Sequence, residues 1–151
     1  MGDFYFAYGS NMDPARVAAR GLCAIAMRGA VLAGHRLVFD KHASDHLGSA
    51  HANLVPDPSA TVEGVLYELA DAREIEKMDV FERAPVNYRR ERVVVDAGGT
   101  HVLAWTYFAN PAVRREGLKP RRDYLAHLLA GRTFLSGDYV RRLEAIACID
   151  D

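Results

Sequence analysis

Cysteine is scarce: Cys23 and Cys148 are the two among 151 residues, and neither belongs to a CxxC pair. That excludes a disulfide-dense extracellular scaffold and fits a reduced intracellular chain with two incidental thiols, while leaving open whether the two pair. Excess charge of one sign is missing as well. Nineteen Lys and Arg stand against twenty Asp and Glu, for a formal net charge of −1. The chain therefore has neither the basic footprint of a nucleic-acid binder nor a polybasic membrane patch. No apolar run approaches the roughly 20 residues of a membrane span. The opening Met-Gly-Asp-Phe-Tyr-Phe-Ala-Tyr-Gly has no basic n-region, so it does not read as a signal peptide. The expectation is a cytoplasmic protein.

Most motifs of cofactor and nucleophile chemistry are absent too. There is no GxGxxG and no P-loop for a nucleotide, and no GxSxG elbow for a serine hydrolase. Six histidines (His35, His42, His46, His51, His101 and His127) fall on different predicted elements without HExxH or a Cys/His cluster. Surface or packing histidines account for them better than a metal site. The run Arg89-Arg90-Glu91-Arg92 alternates with strand period and reads as a solvated outer face.

What is present is an ordinary globular balance: half the residues are hydrophobic and 26% are charged. Residues 3–8 form an aromatic-rich strand halted by Gly9. Asp13 and Pro14 supply a helix cap and a first helical residue, with Gly21 as the stop. From 24 to 40 the chain is apolar with Gly29 and Gly34 as breaks, predicting two strands or one bent pair. Residues 41–50 are polar and unpatterned, the pattern of a mobile loop. Residues 62–69 read as a strand. A capping-box pattern over Asp71-Ala72-Arg73-Glu74 then opens a helix of about three turns, with Ile75, Met78 and Phe81 on its apolar face. Two β-rich runs, 88–96 and 101–108, flank Ala97-Gly98-Gly99-Thr100, a strong hairpin signal. Two helical stripes follow: Tyr124, Leu125, Leu128 and Leu129, with Gly131 late in that helix, then Tyr139, Val140, Leu143, Ile146 and Ala147 after a Ser136 cap. Without repeats or linkers, this order predicts one α+β domain over 1–151, a curled mixed sheet or small barrel with helices at its side.

Two features stand out chemically. Tyr8-Gly9-Ser10-Asn11 joins a strand to a helix start, where glycine permits unusual geometry and successive N–H groups favour an anion. It also reads as an ordinary turn. Glu82 lies at the C-terminal end of its predicted helix, where the dipole disfavours a carboxylate. A salt bridge to Arg83 or proton chemistry would each explain it.

Together these residues resemble the γ-glutamylcyclotransferase family. Tyr5-Phe6-Ala7-Tyr8-Gly9-Ser10-Asn11 is similar to its signature, Ala33-Gly34-His35-Arg36-Leu37-Val38-Phe39 to its second strand region, and Val62-Glu63-Gly64-Val65-Leu66-Tyr67 to its V-x-G-V-x-Y strand. Met78-Asp79-Val80-Phe81-Glu82 corresponds to L-D-x-x-E, and Tyr88 to a tyrosine shortly after it. The segment from Pro120 to Tyr124 and the last two helices follow the family's order.

The resemblance implies a small mixed β-barrel with flanking helices. It further implies cyclisation of γ-glutamyl amino acids to 5-oxoproline plus free amino acid, with Glu82 as catalytic acid/base. Tyr5, Tyr8, Gly9, Ser10, Asn11, Tyr88 and Tyr124 would bind the small γ-glutamyl substrate, with no cofactor and no metal. A γ-glutamylamine cyclotransferase, a hydrolase acting on an amide and a non-catalytic γ-glutamyl-ligand binder are the alternatives. The glutathione-specific relatives carry a different turn, which counts against glutathione itself. Arg83 stands where the family often has glycine, and so either narrows the pocket or pairs with a substrate carboxylate. Oligomeric state stays open, a homodimer included.

Overall fold

A computed structural model describes residues 2–44 and 46–149. Nine principal elements follow one another: β1 (Asp3–Ala7), α1 (Pro14–Ala19), β2 (Ala24–His42), β3 (Ala50–Leu69), α2 (Ile75–Glu82), β4 (Tyr88–Ala97), β5 (Thr100–Ala109), α3 (Arg122–Leu129) and α4 (Gly137–Glu144). The strands close into a barrel in the order β1-β3-β2-β4-β5. Its neighbours run antiparallel except β1 and β5, which pair parallel through Tyr5 and Trp105. The expected α+β class and mixed barrel with flanking helices are both present.

Strand alternation sorts the core into two sides. Phe6, Leu32, Leu66, Val95 and Val102, one from each strand, belong to one buried cluster. Their neighbours Tyr5, Val65, Tyr67 and Tyr107 join the other, where Met78, Leu125, Leu128, Tyr139 and Leu143 bring in the helices. Each side chain of this size contributes about 1.5–3 kcal/mol on burial. The barrel and its helices therefore hold the short β1 from both faces.

Several boundaries differ from the sequence expectation. The apolar stretch from residue 24 is one continuous strand, and Gly34 marks a shift of register between Ala33 and His35 rather than a break. β3 is likewise longer than 62–69, since both strands extend by pairing with each other. The expected loop at 41–50 shrinks accordingly; Asp45 within it lies outside the described residues. Helix α2 has eight residues, about two turns. Its expected capping box does not form. Asp71 instead accepts from the Arg73 amide, and the Glu74 carboxylate turns to the Cys23 amide and Lys77. Phe81, expected on the apolar face, is 46% exposed. Gly131 lies beyond the end of α3, next to the Met12 carbonyl.

Other local signals hold. Asp13 accepts from the Ala15 amide at the start of α1, and Ser136 accepts from the Tyr139 amide at the start of α4. Gly98 and Gly99 make the two-residue hairpin turn with φ of 62° and 91°, the positive values such a turn requires. Cys23 and Cys148 are free thiols. Among the described residues, no helix is long and apolar enough to cross a membrane.

Candidate active site

The chain leaves β1 at Ala7 and passes through Tyr8 and Gly9 into a 3₁₀ turn, Ser10–Met12. Gly9 has φ −113° and ψ −136°, outside the left-handed region, so a positive φ is not the reason for glycine here. Crowding is. A Cβ at this position would lie 3.2 Å from both the Ala52 Cβ and the Tyr124 hydroxyl. The glycine lets the turn press against β3 and α3.

Asn11 organises the centre. Its Nδ2 donates to the Tyr5 hydroxyl at 3.0 Å and to Glu82 Oε1 at 3.2 Å, while its Oδ1 accepts from Arg20 Nη1 at 3.1 Å. The Tyr67 hydroxyl donates to the Asn11 carbonyl at 2.7 Å, tying the turn to β3. Glu82 ends α2, which is anchored by buried Ile75 and Met78. The Tyr107 hydroxyl donates to Asp79 at 2.7 Å, and Arg90 pairs with that carboxylate at 3.5 Å. Tertiary contacts thus aim Glu82 at the turn, against the preference of the helix dipole.

Burial pushes the Glu82 carboxyl up to about 7, against the pull of Arg20, Lys41 and Arg16. The surrounding phenols are held protonated. Burial raises Tyr5, Tyr8 and Tyr88 well above their ordinary range, and raises Tyr124 to about 12. Their hydroxyls are largely committed to the scaffold. Tyr8 donates to the Tyr107 carbonyl at 2.6 Å and Tyr88 to the Ala52 carbonyl at 2.8 Å, while Tyr124 accepts from the Ala52 amide at 2.9 Å. These tyrosines form walls of fixed shape around a carboxyl whose proton is loosely held near neutrality.

All eight residues singled out from sequence, Tyr5, Tyr8, Gly9, Ser10, Asn11, Glu82, Tyr88 and Tyr124, line one cavity of about 80 Å3. The same cavity is lined by Arg16, Arg20, His51, Ala52, Phe81 and Tyr107, which the sequence reading did not single out. A signal for two of them was there: Arg16 and Arg20, four apart behind the turn, share a helix face. His51, expected as a surface or packing residue, packs at the cavity wall, stacked on Tyr124 with ring centroids 4.6 Å apart. Only the pairing of β2 with β3 brings it there. Among the described residues, no group of three or more His, Cys, Asp or Glu side chains is placed to hold a metal ion.

Arg83 is a correction. It is exposed, does not line the cavity, and occupies the left-handed conformation with φ 51° and ψ 47° at the end of α2. Its amide closes the helix on the Asp79 and Val80 carbonyls. The position asks for glycine because of its backbone, and the side chain has no part in the cavity. Arg83→Gly is expected to stabilise the protein by about 0.5–1 kcal/mol, readable by urea denaturation. A loss of stability would show that the arginine side chain contributes more than its backbone costs.

Residues 5–126 match the model of the family described as "Gamma-glutamyl cyclotransferase, AIG2-like". Among solved structures, one titled "Gamma-glutamyl cyclotransferase" is 21% identical with TM-score 0.84, covering 100% of this chain and 91% of that one. An uncharacterized protein from Homo sapiens is 23% identical with TM-score 0.86, covering 99% and 90%. A yeast γ-glutamyl cyclotransferase specific to glutathione is 16% identical with TM-score 0.66, covering 94% and 93%. Comparison with curated proteins finds no significant match.

Proposed function

The chain belongs to the γ-glutamyl cyclotransferase, AIG2-like family, and from that premise we propose that it cyclises γ-glutamyl amino acids to 5-oxoproline and a free amino acid, with Glu82 moving the proton. The observation that carries the reading is the Glu82 carboxyl, pushed up to about 7 by burial and held by Asn11 at the mouth of the Gly9 turn.

In the proposed reaction the substrate's α-ammonium gives one proton to the Glu82 carboxylate. The freed amine attacks the substrate's own γ-carbonyl carbon and closes the five-membered ring. The ring nitrogen of the tetrahedral intermediate then passes its surplus proton to the leaving nitrogen. As the carbonyl re-forms and the bond to that nitrogen breaks, it also takes the first proton back from Glu82, giving a neutral lactam and a free ammonium. No water is consumed and Glu82 ends ionised as it began. The nucleophile belongs to the substrate, so this chemistry asks for no catalytic serine, cysteine or coenzyme. A carboxyl near 7 suits both halves of the cycle, being a stronger base than an ordinary glutamate and an available acid at neutral pH. Backbone N–H groups of the turn would hold the glutamyl carboxylate or the developing oxyanion.

The direct test is product analysis with γ-glutamylalanine. Formation of 5-oxoproline and alanine in equal amounts is the expected result. Free glutamate would mean hydrolysis, and no product would mean a binding protein; either outcome overturns the proposal. The pH profile gives a further check. Since the ionised carboxylate starts the cycle, kcat/KM should fall on acidification with an apparent pKa near 7. An acid limb near the ordinary 4.5 of a glutamate would remove Glu82 from the role.

A further inference from the structure

A second cavity, of about 160 Å3, adjoins the first, and Arg16, His51 and Tyr124 line both. It continues away from Glu82 towards Arg121 and His127. The Arg121 guanidinium is engaged by Asp123 at 3.1 Å and by His46. Arg16 differs. Its Nη1 faces His127 Nε2 at 3.3 Å, and His127 Nδ1 lies 2.8 Å from Asp13 Oδ2. The Asp13 carboxylate favours the tautomer with a proton on Nδ1, leaving Nε2 to accept from Arg16. Asp13 is itself fixed by capping α1 through its other oxygen. One end of the guanidinium is therefore pinned. Its Nε–H, on the edge that forms two-point pairs with carboxylates, is buried without a partner among the described residues. An unmet buried donor of this kind is costly unless a ligand meets it.

A γ-glutamyl amino acid carries a carboxylate on each side of its scissile amide. With the glutamyl half at the Gly9 turn and Glu82, the second cavity is where the other half can extend, and its boundary is Arg16. We propose, resting on the cyclotransferase reading above, that this second cavity receives the leaving amino acid and that Arg16 pairs with its carboxylate. Asp13 and His127 are positioning residues for that pair. The site then selects γ-glutamyl amino acids over γ-glutamylamines, one of the two roles open to Arg83 from the sequence.

The experiment compares kcat/KM for γ-glutamylalanine and γ-glutamylethylamine, which differ by that carboxylate. The wild-type protein should prefer the former by about ten- to a hundredfold, the range of a charge-assisted pair. Arg16→Gln should remove most of that ratio. Arg16→Lys, which keeps the charge but loses the fork, should lower it less and serves if the glutamine variant fails to fold. His127→Leu should lower the ratio in the same direction. His127→Gln, with a donor for Asp13 and an acceptor for Arg16, should restore it. The ratio cancels any general effect of Arg16 on Glu82. No preference in the wild-type protein, or a ratio unchanged by folded Arg16 variants, overturns this assignment while leaving the cyclotransferase reading intact. Absence of 5-oxoproline from both substrates overturns that reading and this one with it.

Discussion

Replacing Glu82 with glutamine is expected to lower kcat at least about a hundredfold while leaving the fold and ligand binding in place, the usual scale for removing an acid/base. Glutamine fills the same volume and still accepts from Asn11, but it cannot take the proton of the substrate's ammonium or return one to the leaving nitrogen. The same substitution should stabilise the protein at alkaline pH, a consequence an incidental surface carboxylate would not have. The folded state binds the Glu82 proton more tightly than the unfolded chain, because burial raises the group from its ordinary 4.5 to about 7. Below pH 4.5 both states are protonated and nothing is lost. Between 4.5 and 7 the unfolded chain ionises first, so stability falls as pH rises. Above 7 the folded protein bears the full cost, on the order of 3 kcal/mol. Glu82→Gln should recover most of it at pH 8 and almost none at pH 4, measured by denaturant titration at each. Near-wild-type turnover would sink the catalytic role; equal stability effects at both pH values would contradict the buried, proton-poised carboxyl.

The second large effect is expected at the turn. Gly9→Val should weaken γ-glutamyl ligand binding by about ten- to a hundredfold in protein that is still folded. A bare Cβ there already meets Ala52 and the Tyr124 hydroxyl at 3.2 Å. Two further methyl groups must displace Tyr124, whose hydroxyl bonds the Ala52 amide, or project into the cavity beside Ser10 and Asn11. Overpacking of this kind costs about 1–3 kcal/mol. Here it falls on the wall where the substrate would sit. Calorimetric titration of the folded variant decides it, with unchanged affinity meaning that the turn serves structure alone.

Much of this arrangement was legible in the chain itself. Asp13-Pro14, Gly98-Gly99 and Ser136 each act within a few residues of themselves, so the cap, the turn and the second cap form as their chemistry dictates. The aromatic strand, the turn after it and the glutamate at a helix end were likewise visible, and with them the family resemblance. Local rules failed where a distant partner offered more. Glu74 left its expected capping role for the Cys23 amide, 51 positions away, and for Lys77. Gly34 did not end its strand because the pairing of β2 with β3 resumes on its far side.

The sequence alone determined which chemistry is available: a protonatable glutamate, a glycine turn with Ser10 and Asn11, a set of tyrosines, and no other recognised catalytic motif. The tertiary structure decided what those groups became. It raised the Glu82 carboxyl to about 7 rather than leaving it an ordinary surface carboxylate, since burial and the opposing pull of Arg20, Lys41 and Arg16 are properties of a closed barrel and its helices. It took Arg83 out of the cavity by spending that residue on a left-handed helix end, and put Arg16 at the junction of two cavities by packing α1 against His127. Charge, burial and line of sight depend on neighbours brought together across the whole chain, and no local stretch of sequence contains them.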